Sequence, residues 1–146
     1  MEITREETFD MAHRLMQHDG QCSNIHGHTY RVQVTVAGVP DKETGMVIDF
    51  STLKEIMHNT IIDPLDHALA LNEGDGLVGI LEKMGYNIVT YKGDPTVELM
   101  SFDILKKIKK YIDGLVLPNF LEVTSVRLWE TPKCFATARK NDLNER

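Results

Sequence analysis

The sequence predicts an α+β protein: a four-stranded antiparallel sheet with its helices packed on one face. Three observations carry this expectation. Strand-like segments gather towards the two ends of the chain and helix-like segments lie between them, which favours segregated layers over a βαβ alternation. Residues 29–38 alternate without a break, with Tyr30, Val32, Val34 and Val36 on one side and Arg31, Gln33, Thr35 and Ala37 on the other. That is the pattern of a half-buried strand. Val97, Met100, Ile104, Ile108 and Ile112 then form the single apolar stripe of an amphipathic helix.

Taken in order, Ile3 to Asp10 reads as the first strand. Met11 to Ile25 is polar and irregular, and it holds His13 and Cys22. Thr29 to Gly38 is the second strand, residues 39–45 are a turn region, and Met46 to Phe50 extends again. Ser51 is placed to cap a helix bearing Leu53, Ile56, Met57 and Ile61, and Pro64 stops it. Asp75 is placed to cap a short helix with Leu77, Ile80, Leu81 and Met84 on its stripe, closed by Gly85. Ile88 to Tyr91 reads as a short strand. Thr96 caps the long helix, and Lys106, Lys107, Lys109 and Lys110 sit near its C-terminal end, where cations suit the dipole. Leu121 to Glu130 and Lys133 to Arg139 are the last two strands, joined at Thr131-Pro132. A sheet this small has two free edges, so subunits are expected to join edge to edge.

The 146 residues suffice for one domain, 1–146, with a core. Hydrophobic residues at 42% and charged residues at 26% are ordinary for a soluble protein. A net charge of −6 argues against nucleic acid as a partner. No apolar run reaches the length of a membrane span. The acidic stretch Met1 to Glu7 is not a secretory signal. Cys22 and Cys134 do not make a disulfide framework. A reducing, cytoplasmic setting is expected.

The chemistry concentrates in His26-Gly27-His28. Residues two apart on a strand point to the same side, so both imidazoles can face one point. With His13 brought in from a neighbouring strand, three nitrogens match a catalytic zinc (Zn2+) set that leaves a fourth position open. The plain reading is two hydrogen-bonded strand histidines. Cys22 is either a fourth ligand closing a structural site or a nucleophile or base beside the metal. Asp66 and His67 offer a carboxylate that can orient an imidazole for proton transfer, or simply a surface helix end. Glu130 ends a strand, where a carboxylate can grip an amino-pyrimidine edge with two hydrogen bonds, or be an ordinary exposed acid. Thr96 and Glu98 are explained locally by helix capping and the dipole. Cys134 reads as a packing residue.

Several segments together resemble the 6-pyruvoyltetrahydropterin synthase family, and within it the bacterial-type 6-carboxy-5,6,7,8-tetrahydropterin synthases of queuosine biosynthesis. They are Ala12-His13-Arg14-Leu15, Cys22 with His26-Gly27-His28-Thr29-Tyr30, Gly45 to Phe50, Leu65-Asp66-His67 with Leu71-Asn72, Pro95-Thr96 with Glu98, and Glu130-Thr131. Any one is weak, but the ordered set is specific. The short gap from Cys22 to His26 and the Ile48-Asp49-Phe50 run point to the bacterial-type branch. Cys22 itself argues against the folate branch, which carries Glu there.

The resemblance implies the tunnelling fold (T-fold), in which subunits join their sheets into a barrel, as a homo-oligomer: a hexamer of two trimers with pterin sites between subunits. It implies zinc at His13, His26 and His28, with Cys22, Asp66 and His67 catalytic. Glu130 would anchor the pterin, helped by Thr96 and Glu98. It implies a lyase that converts 7,8-dihydroneopterin triphosphate to 6-carboxy-5,6,7,8-tetrahydropterin, releasing acetaldehyde and triphosphate. The alternatives are the pyruvoyl-forming activity on the same substrate and, in another class, a non-catalytic zinc-stabilised binding protein. Arg14, Lys133 and Arg139 are candidate cations for the triphosphate. The chain departs from the commonest bacterial members in a longer segment, 73–94.

Overall fold

The computed structural model describes residues 1–117 and 120–144. A six-stranded sheet organises the chain, in the spatial order Ile88–Tyr91, Leu69–Asn72, Glu2–His13, His26–Gly38, Leu121–Thr131, Cys134–Arg139. The four long antiparallel strands match the expectation: β1 (Glu2–His13), β2 (His26–Gly38), β5 (Leu121–Thr131) and β6 (Cys134–Arg139). Two short strands, β3 (Leu69–Asn72) and β4 (Ile88–Tyr91), lengthen the sheet in parallel beyond β1. Of these, β3 was missed by the pattern reading, because a strand this short, Leu-Ala-Leu-Asn, has no alternation to show.

The alternation in β2 holds: Tyr30, Val32, Val34 and Val36 are fully buried. They meet Phe9 and Met11 of β1 and Val126 and Leu128 of β5 in one core. Helix α4 (Val97–Asp113) covers this face with Met100, Ile104, Leu105, Ile108 and Ile112. Thr96 caps it as expected, its hydroxyl accepting from the Leu99 N–H at 3.3 Å. Burial on this scale, at about 25 cal/mol per Å² of apolar surface, is the main favourable contribution to the fold.

Other local expectations are corrected. Helix α1 (Phe50–Met57) is capped by Asp49, whose carboxylate accepts the Ser51 N–H, so the cap lies two residues before Ser51. Met46 to Phe50 is not a strand; it turns into that cap. The chain widens into a π-helical turn at His58–Ile62, then tightens into the one-turn helix α2 (Asp63–Leu65); Pro64 sits in its first turn rather than stopping the helix, which ends where Asp66 becomes extended. Helix α3 (Val78–Lys83) buries no residue, and Ile80 and Met84 of its apolar stripe are exposed. β1 runs on to His13, so His13 stands on a strand rather than in a loop. Among the described residues, no helix is long and apolar enough to cross a membrane.

Candidate metal centre and pterin cleft

Strand register explains why three imidazoles converge. In the β1–β2 ladder His13 lies directly opposite His26, and His28 lies opposite Met11, one side-chain step along the same face. The rings of His13 stand 4.5 Å from His26 and 5.2 Å from His28, centroid to centroid. One ligand atom from each lies within 4.8 Å of the others. Among the described residues Cys22 does not join that group. It is half-buried in a single 3-10 turn (Gln21–Ser23), and its carbonyl accepts from the Leu15 N–H.

Backbone carbonyls set the tautomers. Nδ1 of His13 donates to the Pro95 carbonyl at 3.0 Å, and Nδ1 of His26 donates to the Asn24 carbonyl at 2.8 Å. A carbonyl can only accept, so each neutral ring carries its proton on Nδ1 and turns a lone pair out at Nε2. The two Nε2 atoms stand 3.1 Å apart. Nε2 of His28 is buried without a hydrogen-bond partner among the described residues. Lone pairs facing one another repel unless a proton or a cation lies between them. A proton would require an imidazolium, and burial lowers the pKa of His13 and of His28, outweighing the Pro95 carbonyl and Glu130 at His13 and Glu130 at His28, which raise it. A divalent cation satisfies all three nitrogens. The donor set therefore fits zinc: His13, His26 and His28 would hold it, and the Nδ1–H groups of His13 and His26 are anchored on carbonyls in the manner usual for metal-binding histidines. Tyr30 floors the site, its ring edge-on to His13 and His28.

Glu130 reaches this cluster. Its Oε1 lies 3.3 Å from Nε2 of His13 and 3.8 Å from Nε2 of His28. The β5–β6 register slips between Trp129 and Thr131, which leaves Glu130 as the extra residue of a bulge. Bulges re-aim side chains and recur beside active sites. A cleft of about 460 Å³ runs from Glu130 over Thr96, Glu98, Lys133, Cys134 and Phe135. The three residues expected to hold a pterin thus line one cleft. Cys134 is exposed on its wall and is not a packing residue: at the mouth of the β5–β6 turn no layer covers it.

Asp66 and His67 form a pair, with Nδ1 of His67 2.9 Å from Oδ2 of Asp66. The other carboxylate oxygen accepts the Asp10 N–H at 2.9 Å, and the His67 N–H donates to the Asp10 carbonyl at 2.7 Å. The Asp10 N–H, with His67 as a lesser contribution, lowers the pKa of Asp66. His67 takes a left-handed backbone, φ 60°, a strained choice for a residue with a Cβ. It lines a cleft of about 470 Å³ with Asp10, Ala12, Gly27, His28 and Thr29. Of the three imidazoles, His28 therefore borders this cleft, while Glu130, Thr96 and Glu98 line the other.

Of the candidate phosphate cations, Lys133 lines the Glu130 cleft. Arg14 is committed to buried Asp75, Nε to Oδ2 3.0 Å, and Arg139 is exposed on β6, outside both clefts. Sequence reasoning missed the Pro95 and Asn24 carbonyls, because a backbone acceptor has no residue signature.

The family model for 6-pyruvoyl tetrahydropterin synthase matches residues 2–141. A 6-carboxy-5,6,7,8-tetrahydropterin synthase of Haemophilus influenzae is 39% identical over 140 residues, 91% of this chain and 94% of that protein. One from Rickettsia bellii is 32% identical over 142 residues, 92% of this chain and 97% of that one. Among solved structures, the Caenorhabditis elegans 6-pyruvoyl tetrahydropterin synthase superposes with a TM-score of 0.68 at 26% identity, covering 95% of this chain and 94% of its own. The Plasmodium vivax protein of that name, at 21% identity and a TM-score of 0.71 over 96% of this chain and 97% of its own, shares the fold. The order of strands, the histidine ladder and these matches agree: the chain belongs to the 6-pyruvoyl tetrahydropterin synthase family.

Proposed function

We propose that this chain is a zinc-dependent 6-carboxytetrahydropterin synthase. It would convert 7,8-dihydroneopterin triphosphate to 6-carboxy-5,6,7,8-tetrahydropterin, with release of acetaldehyde and triphosphate, on the route to queuosine. The observation that carries this reading is the cluster of three imidazoles, two of them with Nε2 lone pairs fixed by backbone carbonyls, beside a carboxylate-lined cleft. The names of the relatives at 32–39% identity support the branch.

Zinc bound at His13, His26 and His28 would supply Lewis acidity to the hydroxyls of the substrate side chain. The chain's own residues do the rest. Glu130 accepts two hydrogen bonds from the amino-pyrimidine edge, and Thr96 and Glu98 shape the same cleft. Cys22, as thiolate, takes the carbon-bound proton. His67, held by Asp66, moves protons at the far end of the side chain. The Asp66–His67 pair is not part of the cleft that Glu130, Thr96 and Glu98 line, which supports a site completed between subunits of a homo-oligomer, a hexamer of two trimers. A scaffold without turnover has no use for a strained His67 paired to a carboxylate. The test is turnover of 7,8-dihydroneopterin triphosphate by zinc-loaded protein, with the pterin product and the acetaldehyde both identified.

A further inference from the structure

Leu71-Asn72 and the turn before Thr96 stand out in the sequence without a chemical task. The structure joins them behind the metal centre. Asn72, buried at the end of β3, donates from Nδ2 to Oδ1 of Asp94 at 3.0 Å. The other oxygen of Asp94 accepts the Gln17 N–H at 2.9 Å, and the Asp94 carbonyl accepts the Thr96 N–H at 2.7 Å. Oδ1 of Asn72 accepts the Gly74 N–H at 3.0 Å. One carboxylate therefore ties the end of β3, the loop that follows β1 and the turn into α4. Between Asp94 and Thr96 lies Pro95, the residue whose carbonyl holds Nδ1 of His13. Pro95 is buried and has no N–H of its own. Its carbonyl is aimed by its neighbours' bonds.

We propose that Asp94, gripped by Asn72, is a positioning residue for the metal centre: it sets the Pro95 carbonyl that fixes the tautomer and tilt of His13. This rests on the reading of His13, His26 and His28 as zinc ligands. Residues that orient a metal-binding histidine typically matter by about 10–100-fold in metal affinity.

The polar pattern allows a sharp test. Asp94→Asn turns an amide donor towards either the Asn72 amide or the Gln17 N–H. Asn72→Asp sets two carboxylates against each other. The double variant Asn72→Asp/Asp94→Asn restores every bond with the roles exchanged: the new amide donates to the new carboxylate, and the Gln17 and Gly74 N–H groups keep their acceptors. Zinc affinity is measured by chelator competition on the full chain, with thermal unfolding of the metal-free forms alongside. Each single variant is expected to bind zinc about 10–100-fold more weakly, and the double variant to return to within a few-fold of wild type. Should a single variant fail to fold, recovery of both folding and zinc affinity in the double variant carries the same expectation. Wild-type affinity in the single variants, or no recovery in the double, overturns the positioning role and leaves the metal centre standing. If instead wild type binds no stoichiometric zinc, or His13→Ala keeps it, the metal centre itself falls, and this role with it.

Discussion

Nε2 of His13 and Nε2 of His26 face each other at 3.1 Å, while the Nδ1 of each ring is committed to a backbone carbonyl. Neither neutral ring has a proton to offer the other. The ladder register that makes His13 and His26 direct neighbours thereby gathers, with His28, a group that could hold a metal ion from two strands.

Metal content should follow the imidazoles and ignore the thiol. His13→Ala and His26→Ala are expected to lose stoichiometric zinc, whereas Cys22→Ala retains it and loses turnover. Elemental analysis of the purified variants checks this. Loss of zinc from Cys22→Ala would make Cys22 a ligand and remove its assignment as base.

Glu130→Gln should weaken pterin binding by about 2 kcal/mol, the low end for breaking a charged pair, since Glu130 keeps some contact with solvent. The amide turns a donor towards a donor of the pterin. Zinc should stay, because three nitrogens hold it. Titration of a pterin with metal analysis alongside measures both. Unchanged pterin affinity would end the anchor role, and lost zinc would make Glu130 a ligand.

Asp66 has a lowered pKa, chiefly through the Asp10 N–H. Its ionised form is favoured by the fold above the ordinary carboxyl value of about 4, and that advantage is lost as pH falls through the folded value. At pH 5–8, therefore, Asp66 stays charged, and any acid limb of kcat in that window belongs to another group. Asp66→Asn should lower kcat on the order of 10²-fold, because the pair loses the charge that supports proton transfer through His67. An unchanged kcat in Asp66→Asn across pH 5–8 would separate the pair from the proton transfer.

The hydroxyl of Thr96 caps α4. Thr96→Ala should cost about 1 kcal/mol in unfolding free energy, and Thr96→Ser should restore most of it. Urea unfolding of the metal-free forms measures the cap. A Thr96→Ala variant as stable as wild type would show that the capping bond contributes nothing.

How much of this was legible in the sequence depends on whether side chains or backbone carry the information. The alternation from Tyr30 to Val36 and the stripe from Val97 to Ile112 fix the core, because burial demands those periods. His26-Gly27-His28 showed its shared face for the same reason. Register did not show: nothing in the letters places His13 opposite His26, and β1 reads as ending before it. The short strand β3 and the bulge at Glu130 were hidden, since both arise from tertiary pairing. The segment 73–94 looked like an insertion on the pocket wall. Of its apolar stripe, Leu77, Ile80, Leu81 and Met84, the residues Ile80 and Met84 are exposed, while Asn72 just before the segment and Asp94 at its end meet behind the histidines. Cys134 read as a packing residue from its apolar neighbours, and only the open end of the β5–β6 turn shows it to be exposed.

The most direct measurement is the product. Zinc-loaded protein is incubated with 7,8-dihydroneopterin triphosphate, and the pterin is identified by mass spectrometry while acetaldehyde is trapped. The account predicts 6-carboxy-5,6,7,8-tetrahydropterin with an equivalent of acetaldehyde, dependent on His13 and Cys22. A 6-pyruvoyl product without acetaldehyde, or no turnover by zinc-replete oligomer, would contradict it.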